Sequence, residues 1–338
     1  MGGDKVLEAK KILIVKLGSI GDVIHSLPFL KALRDKYPKS FIAWTVESKS
    51  YPILEGHSSI DEIILFDRRN ILNYLRKIRN YRFDLVIDLQ RLLKSGLITY
   101  LSKAKNRLGF DKKRCKEYNY LFTNLKIPSF SDNKHIIYQY LEFADYLGIK
   151  DVKIKYDLFI PDLTRKYRDI IEDRRFKLII NIGASKKVNL WFPELFAELI
   201  ETIKEQYKFN LILTGGASDR TLAKEIKDLT NVDYINLVGK TTLKELAFII
   251  KNGHLYIGCD TGPTHLAVAV NTPVIGLYGS SNPKRNGPLG YGEYLIYKDL
   301  DCAPCRKKEC QYGDNRCMRE IKVKDVMEKI NLFFNKNY

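Results

Sequence analysis

The sequence has no long apolar run. Its hydrophobic stretches are strand-length and broken by charges, well short of the roughly 18 to 20 residues a membrane-spanning helix needs, so no span is expected. The first of them, Ile12 to Val15, is interrupted by Lys16 and soon by Asp22, which the core of a signal peptide would not tolerate. A cytoplasmic chain is therefore expected, with any membrane contact peripheral and electrostatic. The G-x-G-x-x-G spacing of dinucleotide-binding folds is also missing. Gly18 and Gly21 stand in a G-x-x-G-D pattern instead, which argues against a nicotinamide cofactor. No standard nucleic-acid recognition motif is present, and the two halves do not align as repeats. Acidic residues are in deficit, 40 against 57 Lys and Arg, for a formal charge of +17. That excess favours anionic partners, and net charge alone does not choose among nucleic acid, acidic lipid and phosphorylated substrates.

With 338 residues and 45% hydrophobic content, the chain exceeds one hydrophobic core and fits two domains. Short β-branched runs alternate with amphipathic stretches: Ile12–Lys16, Phe41–Val46, Glu62–Phe66 and Leu85–Asp88, then Lys177–Ile182, Asn210–Thr214, Tyr234–Leu237, His254–Ile257 and Val274–Tyr278. This is βαβ rhythm, and near-continuous Ile, Leu and Val strands imply parallel sheets covered on both faces. A boundary is expected within Tyr156–Arg175, giving domains over 1–160 and 161–338. The prediction is thus α/β, two Rossmann-like doubly wound domains facing across a cleft.

Three junctions carry chemistry. In Lys16-Leu-Gly-Ser-Ile-Gly21-Asp22 a strand turns into a helix, the place where open α/β sheets bind ligands. Asp22 reads either as the N-cap of a helix running to about Tyr37 or as a catalytic base, and the roles are compatible. Pro28 predicts a kink or a late helix start. In Asp260-Thr261-Gly262-Pro-Thr264-His265 the amides opening a helix over Thr264–Val270 suit a pyrophosphate, Asp260 can accept sugar hydroxyls, and His265 reads as ligand or as packed histidine. In Gly183-Ala-Ser185-Lys186-Lys187-Val-Asn189 a hydroxyl and two lysines can meet phosphate oxygens, or form a turn and a solvated face. Asp299-Leu-Asp301 has a D-x-D look that chance also produces. Tyr100–Tyr120 is a basic patch with interleaved aromatics, read as a solvated surface, a contact for a phosphorylated acceptor or anionic lipid, or a nucleic-acid surface.

Read in order, Lys16-Leu-Gly-Ser-Ile-Gly-Asp22, Gly183-Ala-Ser185 and Asp260-Thr-Gly-Pro-Thr-His265 with Leu277-Tyr-Gly-Ser-Ser-Asn-Pro283 resemble the family 9 glycosyltransferases, the lipopolysaccharide heptosyltransferases, over about residues 10 to 320. The resemblance implies a GT-B architecture and an inverting transfer from ADP-L-glycero-D-manno-heptose without a catalytic metal. The acceptor it implies is an anionic lipid-linked inner-core sugar at the inner membrane, with no nucleic-acid partner. Carried over by position, Asp22 is the general base and Lys16 its helper. Thr261, Gly262 and His265 look like donor-binding groups. Ala184-Ser185 falls on the family's Ser/Thr pair, and Asn189 on the position where it usually has Lys. From the residues themselves Lys186 or Lys187 is expected to supply that charge and Asp260 to accept donor hydroxyls. The domain over 1–160 is thus expected to bind acceptor and that over 161–338 the nucleotide sugar. The alternatives are a protein O-heptosyltransferase and a non-catalytic nucleotide-sugar-binding subunit.

Four cysteines form Cys302-x2-Cys305-x4-Cys310-x6-Cys317. In a cytosolic chain this spacing favours four-thiolate Zn or Fe over disulfides, in a structural role, with free or paired thiols as the other reading. Heptosyltransferases that modify autotransporter proteins carry a four-cysteine iron site near this end. Cys115 and Cys259 read as lone thiols.

Overall fold

The computed structural model describes residues 8–128 and 134–337, and the chain divides into two compact units after Phe159. The first unit holds strands β1 (Lys11–Val15), β2 (Phe41–Val46), β3 (Glu62–Leu65), β4 (Leu85–Asp88), β5 (Asn106–Gly109) and β6 (Leu125–Lys126), in the order β3-β2-β1-β4-β5-β6. All pairings are parallel, with Ile14 opposite Trp44 on one side and Ile87 on the other. Its longer helices are α1 (Ile20–Lys36), α2 (Ile71–Tyr81), α3 (Leu93–Leu101) and α4 (Ile136–Tyr146).

The second unit repeats the plan with β7 (Lys177–Asn181), β8 (Asn210–Thr214), β9 (Ile235–Asn236), β10 (Leu255–Cys259), β11 (Val274–Tyr278) and β12 (Leu295–Tyr297), ordered β12-β11-β10-β7-β8-β9. Its longer helices are α5 (Pro193–Gln206), α6 (Arg220–Leu229), α7 (Leu243–Lys251), α8 (Gly262–Ala269) and α9 (Val323–Asn337). Each unit has its own core. Leu13, Val15, Ile64, Ile78 and Val86 pack together in the first, and Trp191, Phe196, Ile257, Leu277 and Met318 in the second. Strands such as KILIV and NLILT have no exposed interior face because helices cover both sides of a parallel sheet.

Three local expectations change. The N-cap of α1 is Ser19, so Asp22 is the third helical residue and not the cap. Pro28 neither delays nor ends α1; it leaves the Ile24 carbonyl without its helical donor. α8 opens at Gly262, two residues early, because Thr261 in extended conformation caps it and Pro263 fits a first turn, where no amide is needed.

Candidate active site

In the first unit, β1 delivers Lys16 to the C-terminal edge of the sheet and α1 returns Asp22 to meet it. The Lys16 ammonium lies 3.8 Å from an Asp22 carboxylate oxygen; the lysine side chain is 4% exposed and the aspartate 37%. The ammonium also donates to the Leu89 carbonyl at 3.4 Å and sits 5.2 Å from the Tyr140 ring centre. Backbone and side chains fix the turn between them. Trp44 Nε1 donates to the Lys16 carbonyl at 3.0 Å, Gln90 Oε1 accepts from the Leu17 amide at 3.1 Å, and the Glu47 amide donates to the Leu17 carbonyl at 2.9 Å. A buried lysine thus holds an accessible carboxylate in a turn that cannot easily rotate.

Beside this turn Glu47 takes Lys94 at 2.6 Å, Lys49 at 3.8 Å and Arg68 at 4.0 Å. Burial works against its charge, yet the three cations hold its carboxyl below the usual range. At the end of β4, Asp88 is fully buried, accepting from Asn119 Nδ2 at 2.8 Å and the Gln90 amide at 2.8 Å. Burial outweighs these bonds and raises its pKa. Asp88, Gln90, Glu47 and Asn119 were not among the residues singled out from sequence. The available signal was Asp88-Leu-Gln90 at the C-terminal end of the strand beside β1, next to the point where the strand order reverses.

In the second unit the same edge gathers three loops. Asp260 follows β10, and His265, one turn into α8, places Nε2 3.2 Å from Asp260 Oδ1. Burial raises the Asp260 pKa most, but the bond and charge of His265, with Ser281 and Asn286, bring it below the ordinary value. Ser185 Oγ, after β7, donates to the Asp260 carbonyl at 3.2 Å. Thr261 and Gly262 are half-buried at the start of α8, Ser185 and Lys187 are exposed, and Lys186 Nζ donates to the Arg306 carbonyl at 3.2 Å. Asn189 faces inward: it is 1% exposed, donating to Ser281 Oγ at 2.8 Å and accepting from Ser280 Oγ. It ties the loop after β7 to the loop after β11, and both ends of its amide are occupied. Gly183 is required by a close approach, since a Cβ there would collide with the Asp219 carboxylate.

A model of glycosyltransferase family 9 (heptosyltransferase) matches residues 71–315. The chain belongs to that family. It is 32% identical to the lipopolysaccharide core heptosyltransferase OpsX of Haemophilus influenzae over 96% of this chain and 98% of that one. It is 31% identical to lipopolysaccharide heptosyltransferase 1 of Campylobacter coli over 82% and 86%. Among solved structures, a family 9 glycosyl transferase of Veillonella parvula shares the fold with TM-score 0.84 and 22% identity, over 99% of this chain and 100% of that chain. The E. coli ADP-heptose lipopolysaccharide heptosyltransferase II does so with TM-score 0.80 and 20% identity, over 96% and 99%. The GT-B fold expected from sequence is the fold these glycosyltransferases share. As a family 9 member the protein is an inverting glycosyltransferase whose chemistry needs no metal.

The cysteine-rich segment of this family 9 chain lies between β12 and α9. Cys302, Cys305, Cys310 and Cys317 are free thiols, and among the described residues no group of three or more His, Cys, Asp or Glu side chains is placed to hold one metal ion. The four thiols are nonetheless close enough for Cys302, Cys305 and Cys310 each to act on the charge of Cys317. Cys317 is buried, facing Gly279, and burial together with the neighbouring thiols pushes it up to about 11. Cys310 lies in its own turn, 3.7 Å from Asp314 Oδ1. Asp299 and Asp301 are both exposed.

Proposed function

We propose that this protein moves heptose from ADP-L-glycero-D-manno-heptose to an anionic sugar of the lipopolysaccharide inner core, with inversion at the anomeric carbon. Similarity along almost the whole chain to heptosyltransferases named for that core supports donor and acceptor. The observation that carries the mechanism is the pairing of Lys16 with the accessible Asp22 carboxylate at 3.8 Å. Asp22 takes the proton of the acceptor hydroxyl as its oxygen attacks the anomeric carbon. The bond to ADP breaks with its electron pair on the terminal phosphate oxygen. Such a base contributes roughly 10²- to 10⁴-fold. Lys16, held by the Leu89 carbonyl, orients the carboxylate.

The departing diphosphate meets the amide-rich start of α8 at Thr261 and Gly262, where helix amides and dipole favour negative charge. Lys186, Lys187 and Ser185 add donors from the loop after β7. Asp260, kept ionised by His265, accepts hydroxyls of the donor. Asn189 acts on the site only through the Ser280 and Ser281 loop it holds. The acceptor role falls to the unit ending at Phe159 and the donor role to the unit that follows.

The formal charge of +17 suits both anionic substrates and a place at the cytoplasmic face of the inner membrane; among the described residues no helix is long and apolar enough to cross a membrane. The second reading is a protein O-heptosyltransferase, which a four-thiolate metal at Cys302, Cys305, Cys310 and Cys317 would favour; metal near one equivalent on freshly purified protein tests it.

Replacing Asp22 with Asn tests the reading. Turnover of ADP-heptose onto a core acceptor falls by roughly 10²- to 10⁴-fold, while donor affinity by calorimetry holds. Undiminished turnover in that variant, or a preference for a non-adenine sugar nucleotide, overturns it. A wild-type chain that binds donor and turns nothing over is a binding subunit instead.

A further inference from the structure

We infer that one outer face of the first unit, built on α3 and the turn that packs along it, is a docking surface for an anionic lipid bilayer. This rests on the membrane-side reading above and adds where and how the contact is made.

The face starts from a helix whose pattern is out of keeping with a solvated surface. Leu93, Leu97 and Tyr100 lie at i, i+4 and i+7, hence on one side of α3, and they are 43%, 42% and 55% exposed. The opposite side, with Ser95, Ile98 and Thr99, is buried in the unit. Beside the exposed stripe runs a short turn at Asn119–Leu121, fastened to α3 by Asn119 Nδ2 donating to the Leu92 carbonyl at 2.9 Å and by Phe122 packing 6.2 Å from Tyr100. That turn presents Tyr118 and Leu121, 71% and 66% exposed. Five large apolar side chains thus stand out from two adjoining segments, whereas a soluble surface ordinarily scatters them singly.

Charge selects the occupant. Lys103, Lys105, Lys112, Lys113 and Lys116 are all exposed on the segments that border the patch. Some of this charge lies against the aromatics themselves: the Arg107 guanidinium is 5.7 Å from the Tyr100 ring and the Lys112 ammonium 5.4 Å from the Tyr120 ring. The acid on this rim, Glu117, accepts from the Leu93 amide at 3.0 Å. Apolar tips with aromatic flanks and a basic border match the layered chemistry of a bilayer surface, acyl boundary below and anionic headgroups around. A second copy of this chain would bring a like-charged border against this one, which disfavours self-association. The same helix carries Lys94, whose ammonium meets Glu47 beside the catalytic turn, so docking here sets a lipid-linked acceptor next to that turn.

The test is sedimentation of the full chain with phosphatidylcholine vesicles and with vesicles of equal phosphatidylcholine and phosphatidylglycerol, for wild type and for Leu97→Glu with Leu121→Glu. Wild type is expected to sediment with the anionic vesicles, and the double variant to lose at least about ten-fold in partitioning through two added like charges, each costing roughly five-fold. On a delipidated, water-soluble acceptor the two are expected to turn over alike. Should the double variant melt early, Tyr118→Ser with Leu121→Ser takes its place. Absence of wild-type binding to anionic vesicles, or binding that the substitutions leave unchanged, overturns the proposal while the soluble assay still reports on the transferase reading. Dimerisation that the substitutions abolish, without vesicle binding, assigns the face to a second copy and overturns it equally.

Discussion

The side-chain oxygen of Gln90 accepts the amide of Leu17 at 3.1 Å. Through this bond the loop after β4 fixes the turn that carries Lys16 and leads to Asp22. The Leu89 carbonyl, one residue earlier, takes the Lys16 ammonium, so two consecutive residues hold both halves of the turn. Gln90→Ala is expected to lower kcat by about ten-fold, the worth of one lost orienting hydrogen bond, with the donor KM little changed. Steady-state kinetics with varied ADP-heptose would decide it: a raised donor KM at full kcat contradicts a positioning role.

Asn189 stands where the resemblance to family 9 led to the expectation of a lysine, and its setting makes that lysine costly. With the side chain buried between Ser280 and Ser281, Asn189→Lys puts an unpaired ammonium into that space at about 3 kcal/mol. Tm is expected to drop by roughly 6 to 12 °C. An unchanged Tm together with tighter ADP binding would mean that the position opens toward phosphate.

Removal of the His265 ring takes from the buried Asp260 carboxylate the partner that does most to favour its charge. His265→Ala is expected to weaken ADP binding by roughly ten-fold in calorimetry, since the loss of one hydrogen bond to a charged group is about 1.5 kcal/mol or more. Equal affinity in the variant would take His265 out of the donor site.

Two buried aspartates give opposite pH signatures. Asp88 has a folded pKa above its unfolded one, so its stabilisation is complete below the ordinary carboxylate range near 4 and is lost as pH rises through the folded value. Asp260 has a folded pKa below its unfolded one, so its contribution is present above that range and lost as pH falls through the folded value. Urea unfolding at pH 5 and pH 8 should therefore find Asp88→Asn relatively more stable, against wild type, at the higher pH. A difference that is constant between the two, or reversed, counts against the buried-carboxylate account.

Since family 9 transfer needs no metal, dialysis against EDTA is expected to leave kcat unchanged. A loss restored by added magnesium would contradict that.

The sequence made the central strands legible because burial on both faces leaves a β-branched signature, and β2, β4, β8 and β11 lie where that signature predicts. β5 and the edge strands β6 and β12 were missed. Asn106-Arg107-Leu108-Gly109 and Leu125-Lys126 are short and partly polar, and owe their conformation to a neighbouring strand more than to their own pattern. Lys16, Asp22, Asp260 and His265 were visible because each sits at a strand-to-helix junction. Gln90 and Glu47 were not, for their importance lies in what they bond across long sequence distances. The cysteine spacing was legible as one group of thiols, since Cys302, Cys305 and Cys310 all act on the charge of Cys317.

Both sheets place their strands in an equivalent order, and neither takes a strand from the other. Each half therefore closes its own hydrogen-bond network and can be remodelled at its rim without disturbing its twin. If roles divide as proposed, a lineage could exchange the first lobe while keeping the second intact, so variation in acceptor is expected to concentrate before residue 160.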